Sequence, residues 1–304
     1  MFNNHAGINL TESKLQLVEI CYKEDSFYLE NVNQAVHFET LAPDLAENKI
    51  ISILQESYDK LTKKKLLHSK SVSFALPNNF FKIFEVPYDD ALIKKDLHEH
   101  FRWELSVLFP GCDKDNFYIQ YVEINKSSIR PEKKAIVFAI SKTIITAINK
   151  FCIHNSLELK FIDNVHLASN AFLYLDKPQT NNEFSLSIYI DSKYSSLSAV
   201  DGVHPFYFKV LNPESSNTFD ELNSTLEKLH EFNITIADFG RVFLYGQDIT
   251  GDFENKLKAL FDNRLKKINP FSRLKADESL LKNPFYKMMY NSFTAAAGIA
   301  IRIV

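Results

Sequence analysis

The sequence predicts an α/β protein of two lobes built alike, with a small α+β module inserted into the first. Three observations point there. A three-strands-then-helix order opens the chain and starts again at residue 184. Between the two copies lies a unit with a different order: strand, helix, strand, strand, helix. The 304 residues suffice for two cores. The expected division is 1–77 with 157–180 for the first lobe, 78–156 for the inserted module and 181–304 for the second lobe.

The elements follow from periodicity. "GINLTESKLQLVEI" (7–20) alternates apolar and polar residues on both sides of Thr-Glu-Ser-Lys, which predicts two strands and a turn. "SFYLENVNQAVHFET" predicts a third strand. "APDLAENKIISILQESYDKL" predicts a helix opened by Pro43-Asp44, with Ile50, Ile53, Leu54, Ser57 and Leu61 on one face. "SVSFALP" is a buried strand. In the module, "FFKIFEVP" is a strand ended by Pro87. "DDALIKKDLHEHFRWELSVLF" is a helix capped by Asp89 or Asp90, with an apolar stripe of Ile93, Leu97, Phe101, Leu105 and Leu108. "NFYIQYVEIN" and "KKAIVFAIS" are strands, and "KTIITAINKFCIHNSL" is a helix. "ELKFIDNVHLASNAFLYL" returns to a strand and a helix. The second copy has two strands around Asp-Ser-Lys-Tyr-Ser (191–195), a third in "HPFYFKVL", and a helix in "SSNTFDELNSTLEKLHEF". The strand "RVFLYG" and helices over 252–265 and 286–303 complete it.

Composition narrows the function. Hydrophobic content of 45% and charge of 24% are those of an ordinary globular protein. With 35 basic and 38 acidic residues, and "KLTKKKLLHSK" read as the solvated end of a helix, the chain is not a nucleic-acid binder. Cys21, Cys112 and Cys152 are scattered, which excludes a disulfide framework and a zinc knuckle and fits a reducing cytoplasm. No signal-peptide pattern opens the sequence, and no apolar run approaches a bilayer span. His98 and His100, two apart on a helix, point to nearly opposite sides and cannot share a metal. No nucleophile elbow surrounds Ser195 and Ser196, and no glycine-rich phosphate motif occurs. Trp103, the one tryptophan, stands beside Arg102 on the module's helix. It packs on the module's sheet or belongs to a docking face, where tryptophan and arginine are enriched.

The order of these stretches resembles the actin-like ATPase fold and, within it, the type IV pilus assembly protein PilM family, related to the cell-division protein FtsA. Gly7 to Lys14 is similar to that family's first phosphate loop, and "YIDSKYSSLSAVDG" to its second. "ALPNNFFKIFEVP" followed by "HFRWELSVLFP" resembles the opening of its inserted subdomain. "VFLYGQDITGDFENKL" resembles its adenosine-contacting turn, and "INPF" and "AAAGIAIR" its ending.

The departures fall on the loops themselves. Asn9 stands at the position of an aspartate used near magnesium, and Thr11 at that of a glycine. Tyr189 and Asp191 replace the second loop's aspartate and glycine, and Gly246-Gln247 replaces paired glycines at the adenosine turn. Asn9 removes a carboxylate from a hard-cation shell. Thr11 adds a Cβ where close approach needs none. Asp191 sets a carboxylate against a phosphate, which costs about 4 kcal/mol at 4 Å and an effective dielectric near 20. Tyr189 intrudes on the cleft if its side chain faces inward. The resemblance therefore implies vestigial nucleotide loops, carried by Asn9, Thr11, Ser13, Asp191, Ser195, Gly246 and Gln247, with no catalytic residue, no metal and no cofactor. It implies a cytoplasmic scaffold that reaches the inner membrane through a partner. That partner would be a short cytoplasmic segment of a pilus or secretion protein, held as an added strand or extended peptide by the inserted module and the groove beside it, with Arg102 and Trp103 in the contact. The alternatives are an active ATPase that binds Mg-ATP between the lobes, and a small-molecule kinase, for which no catalytic aspartate is found.

Overall fold

The structure, a computed structural model, describes residues 4–89, 91–124, 126–127, 129–175, 184–202, 204–211 and 217–302. The first strands are β1 (His5–Leu10), β2 (Lys14–Lys23) and β3 (Ser26–Val36), followed by α1 (Glu47–Lys64) and β4 (Ser71–Leu76). The strand β1 pairs antiparallel with β2 and parallel with β4, and β2 pairs antiparallel with β3. All five residues expected on the buried face of α1 are buried.

The module follows with β5 (Phe81–Pro87), α2 (Lys94–Leu108), β6 (Phe117–Ile124) and β7 (Lys134–Ser141). Its strands form a separate antiparallel sheet in the order β5-β7-β6. One face of that sheet packs Phe84, Val86 and Val137 against Leu97, Phe101 and Leu105 of α2. The expected start of α2 is corrected. It begins at Lys94 after an uncapped Ile93, while Asp89 instead accepts the Ala91 N–H in a preceding turn; Asp90 lies outside the described residues. Ile93 and Leu108, at the two ends of the stripe, are exposed because the short sheet covers only the middle turns.

Next come α3 (Lys142–His154), β8 (Glu158–Asn164), α4 (Val165–Ser169) and α5 (Ala171–Leu175). The repeat returns with β9 (Phe184–Ile190), β10 (Ser196–Asp201), β11 (His204–Val210), α6 (Thr218–Glu227), β12 (Phe239–Gly246), α7 (Gly251–Phe261) and β13 (Leu265–Lys267). Here β9 pairs antiparallel with β10 and parallel with β12, the relations β1 has to β2 and β4. The chain ends with β14 (Lys275–Ala276), α8 (Glu278–Leu281), α9 (Pro284–Lys287) and α10 (Thr294–Ile301). The two large sheets run β14-β3-β2-β1-β4-β8 and β11-β10-β9-β12-β13.

Packing redraws two boundaries. Helix α3 lies on α1, with Ile144, Ile148 and Phe151 in the core shared by the first lobe, so the module proper is its three strands and α2. Residues 275–301 also pack on the first lobe. Strand β14 joins its sheet, and α10 lies across β1 and α4. The expected helix over 286–303 is broken at 288–293, and its last residue lies outside the described residues, as does the junction at 180–181. Helix α10 is buried on all sides, so it shows no amphipathic signal that could place it.

Candidate functional site

The loops between β1 and β2 and between β9 and β10 face each other across the two lobes. In the first, the Thr11 hydroxyl accepts the N–H groups of Ser13 and Lys14 (3.3 and 3.0 Å) and donates to the Lys14 carbonyl (3.0 Å). Thr11 thus does more than add bulk: its oxygen occupies the turn's own donors, the groups that would hold a phosphate. Ser13 is exposed at the tip. The Asn9 side chain is buried and donates to Gln16 Oε1 (2.8 Å), and Gln16 in turn donates to the Ser292 hydroxyl (3.2 Å).

The second loop repeats the arrangement. The Asp191 carboxylate accepts the Ser192 N–H (2.6 Å) and the Gln247 amide (3.1 Å), and the Asp191 N–H donates to the Ser195 hydroxyl (3.1 Å). Burial pushes the Asp191 carboxyl above the usual carboxylate range, opposed by hydrogen bonds from Ser192 and Gln247. Gly246 holds φ at +103°, and a Cβ there would stand 2.0 Å from the Ile190 carbonyl. That close approach lets the Gln247 N–H reach the same carbonyl (2.9 Å). The Gly246-Gln247 turn is therefore stitched to the second loop.

Tyr189 faces inward and is 1% exposed. Burial raises its phenol well above the ordinary value and the Asp191 carboxylate raises it further, while the nearby Asn9 side chain acts the other way. Its neighbours Asn9 and Asp191 come from the two lobes, so the ring stands between the loops. Asn9 and Thr11 lie in and beside the first loop, Asp191, Ser195, Gly246 and Gln247 gather at the second, and the two loops meet through Lys193 and Glu12 (3.5 Å). Among the described residues no group of three or more His, Cys, Asp or Glu gathers to hold a metal.

Sequence reasoning missed His166 on α4, a lone histidine without motif context. It is fully buried, with Nδ1 2.7 Å from Ser196 Oγ and Nε2 2.8 Å from Ser187 Oγ, both on the second lobe. Burial pulls its pKa down to about 3.

A groove lies between the module and the first lobe. Residues Tyr118–Val122 of β6 form one wall and Leu159–Asp163 of β8 the other. Both are edge strands of their sheets. The groove holds about 690 Å³ and continues into a second hollow of about 370 Å³ that shares Ile119, Phe138 and Phe161. Phe161 is 48% exposed on its wall, Lys94 and His98 reach it from α2, and an Asp163–Arg302 ion pair closes one end. Arg102 and Trp103 do not line it. Arg102 pairs with Glu99 (2.6 Å), and Trp103, 56% exposed and stacked on His100, is not packed into the module's core.

No protein-family model and no curated protein matches the chain. Solved structures do. The chain is similar to one described as the PilM-PilN type IV pilus biogenesis complex, with a TM-score of 0.72, 16% identity and 98% of each chain covered. It is also similar to a Bacteroides thetaiotaomicron protein described as having an actin-like ATPase fold and unknown function. There the TM-score is 0.53 and the identity 14%, over 88% of this chain and 91% of that one. The fold is therefore the actin-like fold, in the form seen in the PilM-PilN structure. No helix among the described residues is long and apolar enough to cross a membrane.

Proposed function

We propose that the protein is a non-catalytic, cytoplasmic scaffold of a type IV pilus or related secretion machine. It would hold a short extended segment of an inner-membrane partner. The observation that carries this reading is the groove, where two strand edges face each other across apolar side chains. Backbone donors and acceptors on an edge strand capture an extended peptide, and alternate pockets select its side chains. Five residues of extended chain span about 17 Å. The similarity to a PilM-PilN complex supports the same kind of partner.

The nucleotide loops support a scaffold over an ATPase. A phosphate entering the first loop must displace the Thr11 hydroxyl, and one entering the second must displace the Asp191 carboxylate. Each displaced group must then find a new partner or remain buried without one, at about 1–3 kcal/mol. Millimolar Mg-ATP is expected to leave the melting midpoint unchanged. Ligand at a hundred times its dissociation constant would add about 2.7 kcal/mol and raise the midpoint by a few degrees. A magnesium-dependent rise of that size would restore the ATPase reading.

The groove is tested with peptides from the cytoplasmic ends of single-pass membrane proteins encoded beside this one. Phe161→Asp, on an exposed side chain, is expected to weaken the binding peptide at least tenfold, about 1.4 kcal/mol, while leaving the melt unchanged. Trp103→Ala tests the α2 face separately. Loss with Trp103→Ala alone moves the contact to α2, and binding that requires Mg-ATP ends the scaffold reading.

A further inference from the structure

The two lobes are joined by a buried chain of hydrogen bonds whose donors run one way. From the first lobe, the Asn164 amide donates to Asn78 Oδ1 (2.8 Å), and the Asn78 amide donates to Ser196 Oγ (3.0 Å) and to the Tyr194 carbonyl (2.6 Å). His166 then lies between Ser196 and Ser187. Ser187 Oγ donates to the Ser198 carbonyl (3.4 Å), so it accepts from Nε2–H of His166, and Nδ1 accepts from Ser196. One tautomer satisfies every member. Asn164 also fixes the start of α4 by accepting the His166 N–H (2.9 Å), which sets the ring in place.

Further ties lie outside this chain, among them a 2.8 Å hydrogen bond from the Asn291 amide to the Gly246 carbonyl. Lys193 of the second loop pairs with Glu12 of the first at 3.5 Å. Arg130 of the module donates twice to the Phe206 carbonyl on β11 (3.1 and 3.0 Å) while paired with Glu85 at 2.8 Å.

We propose that the Asn164–Asn78–Ser196–His166–Ser187 chain takes over the part of a cleft ligand, holding the lobes in one fixed arrangement that does not depend on nucleotide. A ligand fixes a two-lobed protein only by favouring one arrangement over another, and a built-in polar bridge does the same without being released. A fully satisfied buried network specifies one geometry, because any shift between the lobes leaves a buried donor or acceptor without its partner. The inference concerns the lobes and stands whatever the β6–β8 groove binds.

The test is amide hydrogen exchange on the full chain carrying Asn78→Asp, which keeps the side chain's shape and removes both donors. Exchange at 186–188 and 194–198 is expected to rise at least tenfold, while 242–244 on β12, the neighbouring strand of the same sheet, stays as in the parent. Addition of Mg-ATP should change neither pattern. Unchanged exchange at 186–188 and 194–198 would overturn the proposal, since apolar packing and the other polar ties would then be holding the lobes. A uniform rise including 242–244 would also overturn it, reducing the chain to a contribution to global stability. If Asn78→Asp does not fold, Ser196→Ala removes a single hydroxyl of the chain and is read in the same way.

Discussion

Replacing Gly298 with alanine is expected to destabilise the protein by about 3 kcal/mol, against the direction that helix propensity predicts. In an exposed helix this change gains up to about 1 kcal/mol. In α10 the new Cβ would stand 2.1 Å from the Ala168 carbonyl oxygen on α4. At Gly7 on β1, a Cβ would stand 1.9 Å from the Ala296 carbonyl on the other side of the same helix. Both obstacles are backbone, and neither can swing aside. Overpacking costs about 1–3 kcal/mol where side chains can adjust, so the upper end applies here. The small residues of "TAAAGIAI" let α10 lie between β1 and α4. Gly251→Ala, with nothing within 4 Å of its Cβ, is the control and should lie within about 0.5 kcal/mol of the parent. Urea unfolding midpoints for the two variants and the parent decide the matter. Gly298→Ala as stable as Gly251→Ala would sink the account.

The same helix shows where the sequence is legible and where it is not. Period-2 alternation along 7–20 and 184–201, and the 3.6 period of α1, are local signals, and those elements form as expected. Helix α10 is apolar all round, so its pattern cannot say which lobe it joins. That is settled by the close approaches at Gly7 and Gly298, 291 residues apart in the chain. At the site, the resemblance pointed to Asn9, Thr11, Tyr189 and Asp191, which lie in or beside the two facing loops. What it could not foresee was that Thr11 and Asp191 would satisfy their own loops' donors, since that depends on side-chain direction within a turn. The resemblance pointed to a groove beside the module but not to the residues that line it. Phe161 sits in an ordinary strand pattern, and its exposure results from β6, forty residues earlier, stopping short of β8.

Stability is expected to fall by roughly 4 kcal/mol between pH 7 and pH 5, through His166 and His37 together. Both are neutral and buried in the fold. Burial pulls His166 down to about 3 and, with a smaller push from Lys60, pulls His37 to about 4 against the hydrogen bond to the Thr11 carbonyl. In the unfolded chain each titrates near 6.5. At pH 7 the folded chain binds neither proton and the unfolded chain only about a quarter of each, so little is lost. As pH falls below 6.5 the unfolded chain takes them up and the folded chain does not, so stability falls by about 1.4 kcal/mol per unit per histidine. Over the interval this comes to about 2 kcal/mol each. His5, lowered chiefly by burial, adds to the loss. Glu19 and Asp191, both raised by burial, act the other way: they bind protons in the fold before the unfolded chain does. Their gain develops nearer their own range and flattens the lower end of the curve. Urea midpoints measured at half-unit steps from pH 7 to pH 5 test the slope. His166→Gln, which can still accept and donate, should reduce the slope by about half. A midpoint that is level from pH 7 to pH 5 in the parent would show that these rings take up protons within the fold.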